Sequence, residues 1–278
     1  MSSADPRNAT PIHPLLRAWI GAEVFFAAVA SGATFLNPAR AGLTDPAGFA
    51  WPIPVVAMAA TLGVFYAASF LPTVWALTMK TWQELRVLAI PLAVFATMMT
   101  LMTFLHWDKF AVGSRPFIVW MLSYVLPPPI FGWAYLRHQR DAAPVGTGIS
   151  HPFDAPTRRY LRLNGGILVA GAILVWVAPA LLVDHAPFKL TPLTARSLAN
   201  MVLAAGITQL WMAWEGDWRR VRVASLLLIL VAVLLPVQLL RFPEGVAWGN
   251  PALLFLLADS AVTAVLLLRP LLRGRSGG

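Results

Sequence analysis

Eight runs of about twenty apolar residues, near 17–36, 54–77, 86–106, 116–136, 163–183, 193–214, 221–241 and 250–269, leave this chain few ways to fold. A run of that length is what a helix needs to cross the hydrocarbon of a bilayer. A transmembrane β-barrel would instead show stretches of about ten residues alternating apolar and polar, whereas "ASLLLILVAVLLPVQLL" is apolar on every face. Composition agrees, with 58% hydrophobic and 12% charged residues against roughly 25% charged in a soluble domain. The expected fold is all-α: a polytopic membrane protein of eight transmembrane helices.

Charge gives an orientation. Of the 21 Lys and Arg residues, only Arg40, Lys109, Arg115, Lys189, Arg196 and Arg241 fall on one side of the spans. The remaining fifteen, from Arg7 to Arg275, fall on the other, which the positive-inside bias assigns to the cytoplasm. Both termini are then cytoplasmic, in the cell (inner) membrane. The basic balance is placed between spans, where it meets anionic lipid headgroups, so nucleic acid is not an expected partner. The first sixteen residues hold no apolar core of a cleavable signal, which leaves the first span as the insertion signal.

The stretch "WALTMKTWQELRV", Trp75 to Val87, is echoed by "WMAWEGDWRRVRV", Trp211 to Val223, with Trp, Trp, Arg and Val recurring 136 residues later. Each copy ends one span, turns and opens the next. Trp75, Trp82, Arg86, Trp211, Trp218 and Arg222 read as interface anchors, because indole rings favour the headgroup zone and guanidinium reaches phosphate. Two copies in register imply two four-helix halves, 1–137 and 160–278, joined by a Pro-, Gly- and charge-rich linker over 138–159. An even number of spans per half makes the repeats parallel, related by an axis along the membrane normal.

The halves differ at mid-depth. The fourth span carries Pro127, Pro128 and Pro129 about a dozen residues in, which removes amide donors and frees the carbonyls of Ser123, Tyr124 and Val125. Such groups need side chains or water, so this backbone is expected to face protein or a wet cavity. The eighth span places Asp259 at the depth of Tyr124, and a carboxylate there costs ~2.5–3.5 kcal/mol on insertion scales. The two are expected to share one pocket, with Asp259 as a proton or cation site; the bland alternative is an interhelical tie. Glu23 in the first span is a second candidate, with Arg17 or Arg86 as a structural partner. Thr97, Thr100 and Thr103 trace a polar line on the third span toward His106, which suits a pathway, although back-bonding to the preceding turn suits it better.

No cysteine is present, which excludes disulfides and thiolate chemistry. His13, His106, His138, His151 and His185 all lie at span ends or in loops, an arrangement unsuited to axial haem ligation. No phosphate loop, HExxH helix or GxSxG elbow appears, so no catalytic residue, metal site or cofactor is assigned and an enzyme is not the expected reading. Two function classes fit: a transporter or lipid/small-molecule binding protein with a midplane site between its halves, or a non-catalytic subunit docked to other membrane subunits of a larger complex.

Overall fold

The computed structural model describes residues 10–273, with side chains as far as Arg269. Arg7, Arg275 and the side chain of Arg273, counted above, lie outside the described residues. Ten α-helices follow one another: α1 Pro14–Ser31, α2 Val56–Ala76, α3 Arg86–Leu105, α4 Arg115–Val125, α5 Pro127–Gln139, α6 Ala155–Val177, the single turn α7 Ala180–Val183, α8 Pro192–Glu215, α9 Trp218–Arg241 and α10 Pro251–Arg273. Among the described residues there are isolated bridges but no strands.

Seven of these units are long and apolar enough to cross a membrane, with α1 extended by a π-turn to Leu36 and α4 with α5 counted as one. This is the build of a polytopic helical membrane protein. The eight-span expectation meets that requirement seven times. The exception is α8, which has 24 residues but carries Arg196, Ser197, Asn200, Thr208 and Gln209. Its polar groups are tolerable because they face protein: Gln209 accepts from Asn164 of α6 at 3.0 Å and Ser197 donates to Met102 Sδ of α3 at 3.1 Å.

Helix ends follow local chemistry. The fifth span was expected to start at 163, yet α6 begins at Ala155, because the Asp154 carboxylate caps the Thr157 amide at 2.8 Å and a proline occupies the first turn. It stops at Val177, short of the expected 183, since Ala178 precedes Pro179 and leaves the helical region. The irregular part of the linker is thereby cut to 140–154.

In the packing, α1 lies on α2 and α6 on α8; α2 meets α9 and α3 meets α8; α3 meets α5 and α9 meets α10. Helices α2, α3, α8 and α9 therefore form the centre. The α6–α8 contact is close enough that a Cβ at Gly165 would sit 2.8 Å from the Gly206 carbonyl, and one at Gly206 would sit 2.9 Å from that of Gly165. Chain reversals fall on two faces, called basal (the α2–α3, α5–α6 and α8–α9 connections) and apical (the others).

The basal face holds the repeated Trp–Trp–Arg stretch, and its members are tied to protein. Arg86 has no exposed side-chain surface; Nε and Nη2 bond both oxygens of an equally buried Glu215 at 2.9 and 2.7 Å, and Nη1 donates to the Ala143 carbonyl at 2.6 Å. Trp82 is buried against His138, with its indole N–H on Gln139 at 3.1 Å. These two are not headgroup anchors, since neither reaches the surface. Arg222 pairs with Glu84 and covers the Trp75 ring at 5.5 Å, Trp218 packs on Phe153, and Trp211 meets Tyr135. Gly216, at φ 67°, supplies the left-handed residue that ends α8 between Glu215 and Asp217.

Candidate functional site

A cavity of about 910 Å³ opens beside α1, bounded by α2, α3, α4 and α5 and backed by Met201 and Thr208 of α8 and Leu228 of α9. It exists because α1 packs along α2 yet only touches α4 and α5. Its lining is apolar apart from a few groups, and the charged residues in it are Glu23, Arg40 and Arg115. Glu23 is nine residues into α1 and Tyr124 nine into α4, which at 1.5 Å per residue puts each about 14 Å from its own end of the bundle, near mid-depth.

Glu23 has no cation to neutralise it among the described residues. Both expected partners are committed elsewhere: Arg17 donates to the carbonyls of Leu77 and Met79, and Arg86 is held by Glu215. The polar group beside Glu23 is the Trp19 indole. Across the cavity, the hydroxyls of Tyr66 on α2 and Tyr124 on α4 lie 3.0 Å apart, both buried. Between them these groups can offer a mid-depth ligand one acceptor and a hydroxyl donor.

Of the proline run, Pro127 lines the cavity and Pro128 and Pro129 do not. The span is not unwound there. Leu126 alone falls between α4 and α5, and it keeps right-handed helical angles. The freed carbonyl of Tyr124 is satisfied by Thr100 Oγ1 at 2.9 Å, so one of the three threonines on α3 repairs the interruption. Thr97, Thr100 and Thr103 each also bond back four residues, and Thr103 accepts the Trp120 indole at 2.9 Å. Ser123 lines the cavity while bonding the Val119 carbonyl.

The structure does not bring Asp259 to Tyr124. Its carboxylate accepts from Tyr160 of α6 at 2.6 Å, with Thr263 completing the cluster at 2.7 Å from the same hydroxyl, and it lines no part of the cavity. This face of α10 is turned toward α6. His106, at the apical end of α3, accepts from Arg196 at 2.8 Å; partial burial and then that guanidinium lower its pKa. Sequence reasoning missed Tyr66, although it is one of only four tyrosines and lies within an apolar span. It also missed the basal acids Glu215 and Asp217, whose signal was two carboxylates between tryptophans at a span end.

Comparison with known family models, curated proteins and solved structures finds no match to this chain.

Proposed function

We propose that this membrane protein takes an apolar or amphipathic molecule from the bilayer into the cavity beside α1. The observation that carries the reading is an uncompensated carboxylate, Glu23, facing a cavity of about 910 Å³ near mid-depth. A structural carboxylate at that depth would be paired, as Asp259 is with Tyr160. A pocket of this size and apolarity is in the range of small-molecule sites. Native mass spectrometry of protein released from detergent tests it. A lipid-like molecule should accompany the wild type and be lost on Ser69→Phe, which fills the cavity with a ring, while the melting temperature is kept. Equal occupancy in both, or none in either, would reject the site, and obligate co-purification with other chains would favour the subunit reading.

The finer architecture belongs to the same proposal. In it α8 also crosses, as the sixth of eight spans, the basal face is cytoplasmic, and the two halves are a duplicated unit related by an axis along the membrane normal. Support comes from exchanged partners: Arg86 reaches position 215, and Arg222, at the equivalent place, reaches Met79 Sδ at 3.2 Å, where 79 and 215 are separated by the same 136-residue step. The pairing of α2 with α9 and of α3 with α8 has the same symmetry.

A further inference from the structure

The cavity is polarised along its length. Its apical rim carries Arg40, from the short turn Pro38–Gly42, and Arg115, the first residue of α4. Backbone bonds between Ile53 and Ala41 at 2.8 Å and between Ala111 and Ala50 at 2.9 Å bring these two connections onto one rim. Both arginines are exposed, and neither guanidinium has an ion pair or hydrogen bond among the described residues. Arg17, Arg86, Arg196, Arg222 and Arg241, by contrast, are each engaged by a carboxylate, a carbonyl or a ring. Deeper in, the one carboxyl group in the lining is that of Glu23. The lining continues to Phe131 on α5, sixteen residues beyond Arg115, or about 24 Å along the helix axis against ~30 Å of hydrocarbon.

An elongated apolar slot with two free cations at its mouth and a carboxylate at mid-depth accepts only one orientation of a charged guest. An anionic group is drawn to the rim and kept from the apolar interior by the cost of burying its charge, while a hydrocarbon chain fills the slot. We infer that the ligand is a single-chain anionic amphiphile, a phosphate or carboxylate head held by Arg40 and Arg115 at the apical mouth with its tail running past Tyr66 and Tyr124. The inference rests on the cavity being a binding site, as proposed above. Arginine suits this task because its planar fork of donors matches two oxygens of a phosphate or carboxylate.

The test uses wild-type protein and an Arg40→Gln, Arg115→Gln double variant in nanodiscs of uncharged-net phosphatidylcholine. Binding of dodecyl phosphate, dodecyltrimethylammonium, dodecanol and inorganic phosphate is measured by tryptophan fluorescence, since Trp82 and Trp120 line the cavity. Dodecyl phosphate should bind wild type more tightly than the other two chains, and the double variant should lose about tenfold for it alone, the scale of a lost charge-assisted hydrogen bond. Equal binding of all three chains, unchanged by the variant, would overturn the anionic head and leave the cavity reading intact. Inorganic phosphate binding as well as dodecyl phosphate would show a surface phosphate site without a tail. If no chain binds, and Ser69→Phe changes nothing, both readings fall.

Discussion

Arg86 of α3 and Glu215 at the end of α8 form a bidentate pair with no exposed surface, and Arg220 adds a second guanidinium to the same carboxylate at 2.8 Å. The two cations go on to bind the linker, Arg86 through the Ala143 carbonyl and Arg220 through those of Thr147 and Gly148 at 2.8 Å each. Asp217 fixes the far end: burial would raise its pKa, but the amides of Ser150, Arg219 and His151 and the Ser150 hydroxyl hold it below the usual carboxylate range. A stretch rich in Pro and Gly is thus bound to the basal face by its backbone carbonyls and amides.

Glu215 is the hub, so the two ends of the pair are not equivalent. Glu215→Ala leaves two buried guanidiniums facing each other, and a loss of about 3–5 kcal/mol is expected. Arg86→Met leaves Glu215 paired with Arg220 and should cost less. Melting in detergent gives the order, and limited proteolysis should find new cleavage within 143–150 only when the clamp is broken. A larger loss for Arg86→Met would show that Arg220 does not share the charge.

The α6–α8 contact offers a steric test. Gly165→Ala would drive a methyl into the Gly206 carbonyl at 2.8 Å, a backbone atom that cannot step aside, and should lower the melting temperature. Gly21→Ala, with nothing within 4 Å, should be neutral or stabilising, since alanine is favoured over glycine in a helix by about 1 kcal/mol. Comparable losses at both positions would mean that helix flexibility, not close approach, is what the glycines provide.

Span positions were legible because hydrophobic length is a local property. Azimuth was not. Residue counting pairs Asp259 with Tyr124, yet which neighbour each faces depends on helix rotation, and a helix apolar on nearly every side leaves rotation unmarked. Arg86 illustrates the same gap: Arg next to Trp at a span end looks like a lipid anchor unless its partner 129 positions away is known. Thr100 was read as pathway or packing, and it does a third thing by capping a carbonyl that the prolines release. The cavity itself comes from a sparse contact, α1 against α4 and α5, and no sequence pattern records how loosely two helices pack.

His106 should make stability pH-dependent on the apical face. Its pKa is lowered by burial first and by Arg196 next, so the neutral ring is the folded form. A lowered pKa contributes stability above the ordinary histidine value of about 6.5, and the contribution is lost as pH falls through the folded value. The melting temperature should therefore drop between pH 7.5 and 5.5 by more in wild type than in His106→Gln, which keeps an acceptor but does not titrate. Parallel curves would remove His106 from the account.

Orientation can be read with two single cysteines in a chain that otherwise has none. Thr147→Cys sits on the exposed basal linker and Ala247→Cys on the apical α9–α10 connection, also exposed. An impermeant thiol reagent applied to intact cells should label Ala247→Cys alone. The reverse pattern would place the basal face outside and overturn the charge-based assignment.

Glu23 and Asp259 are the two carboxylates within apolar spans, and their surroundings predict opposite responses to neutralisation. Asp259 accepts a hydrogen bond from Tyr160 at 2.6 Å that holds α10 to α6, so Asp259→Asn or Tyr160→Phe should weaken that tie by about 1–3 kcal/mol. Glu23 has no cation and faces a cavity, so an uncharged replacement removes a desolvation cost and breaks no ion pair. Glu23→Gln should therefore melt at or above the wild-type temperature, and each kcal/mol gained in a chain of this size raises it by roughly 2–4 °C. A residue whose removal stabilises the fold is kept for some use other than the fold. The decisive measurement is the pair of melting curves in one detergent, read beside ligand occupancy by native mass spectrometry. Stability gained with occupancy altered marks Glu23 as part of the site, whereas a destabilised Glu23→Gln would make it a structural group like Asp259.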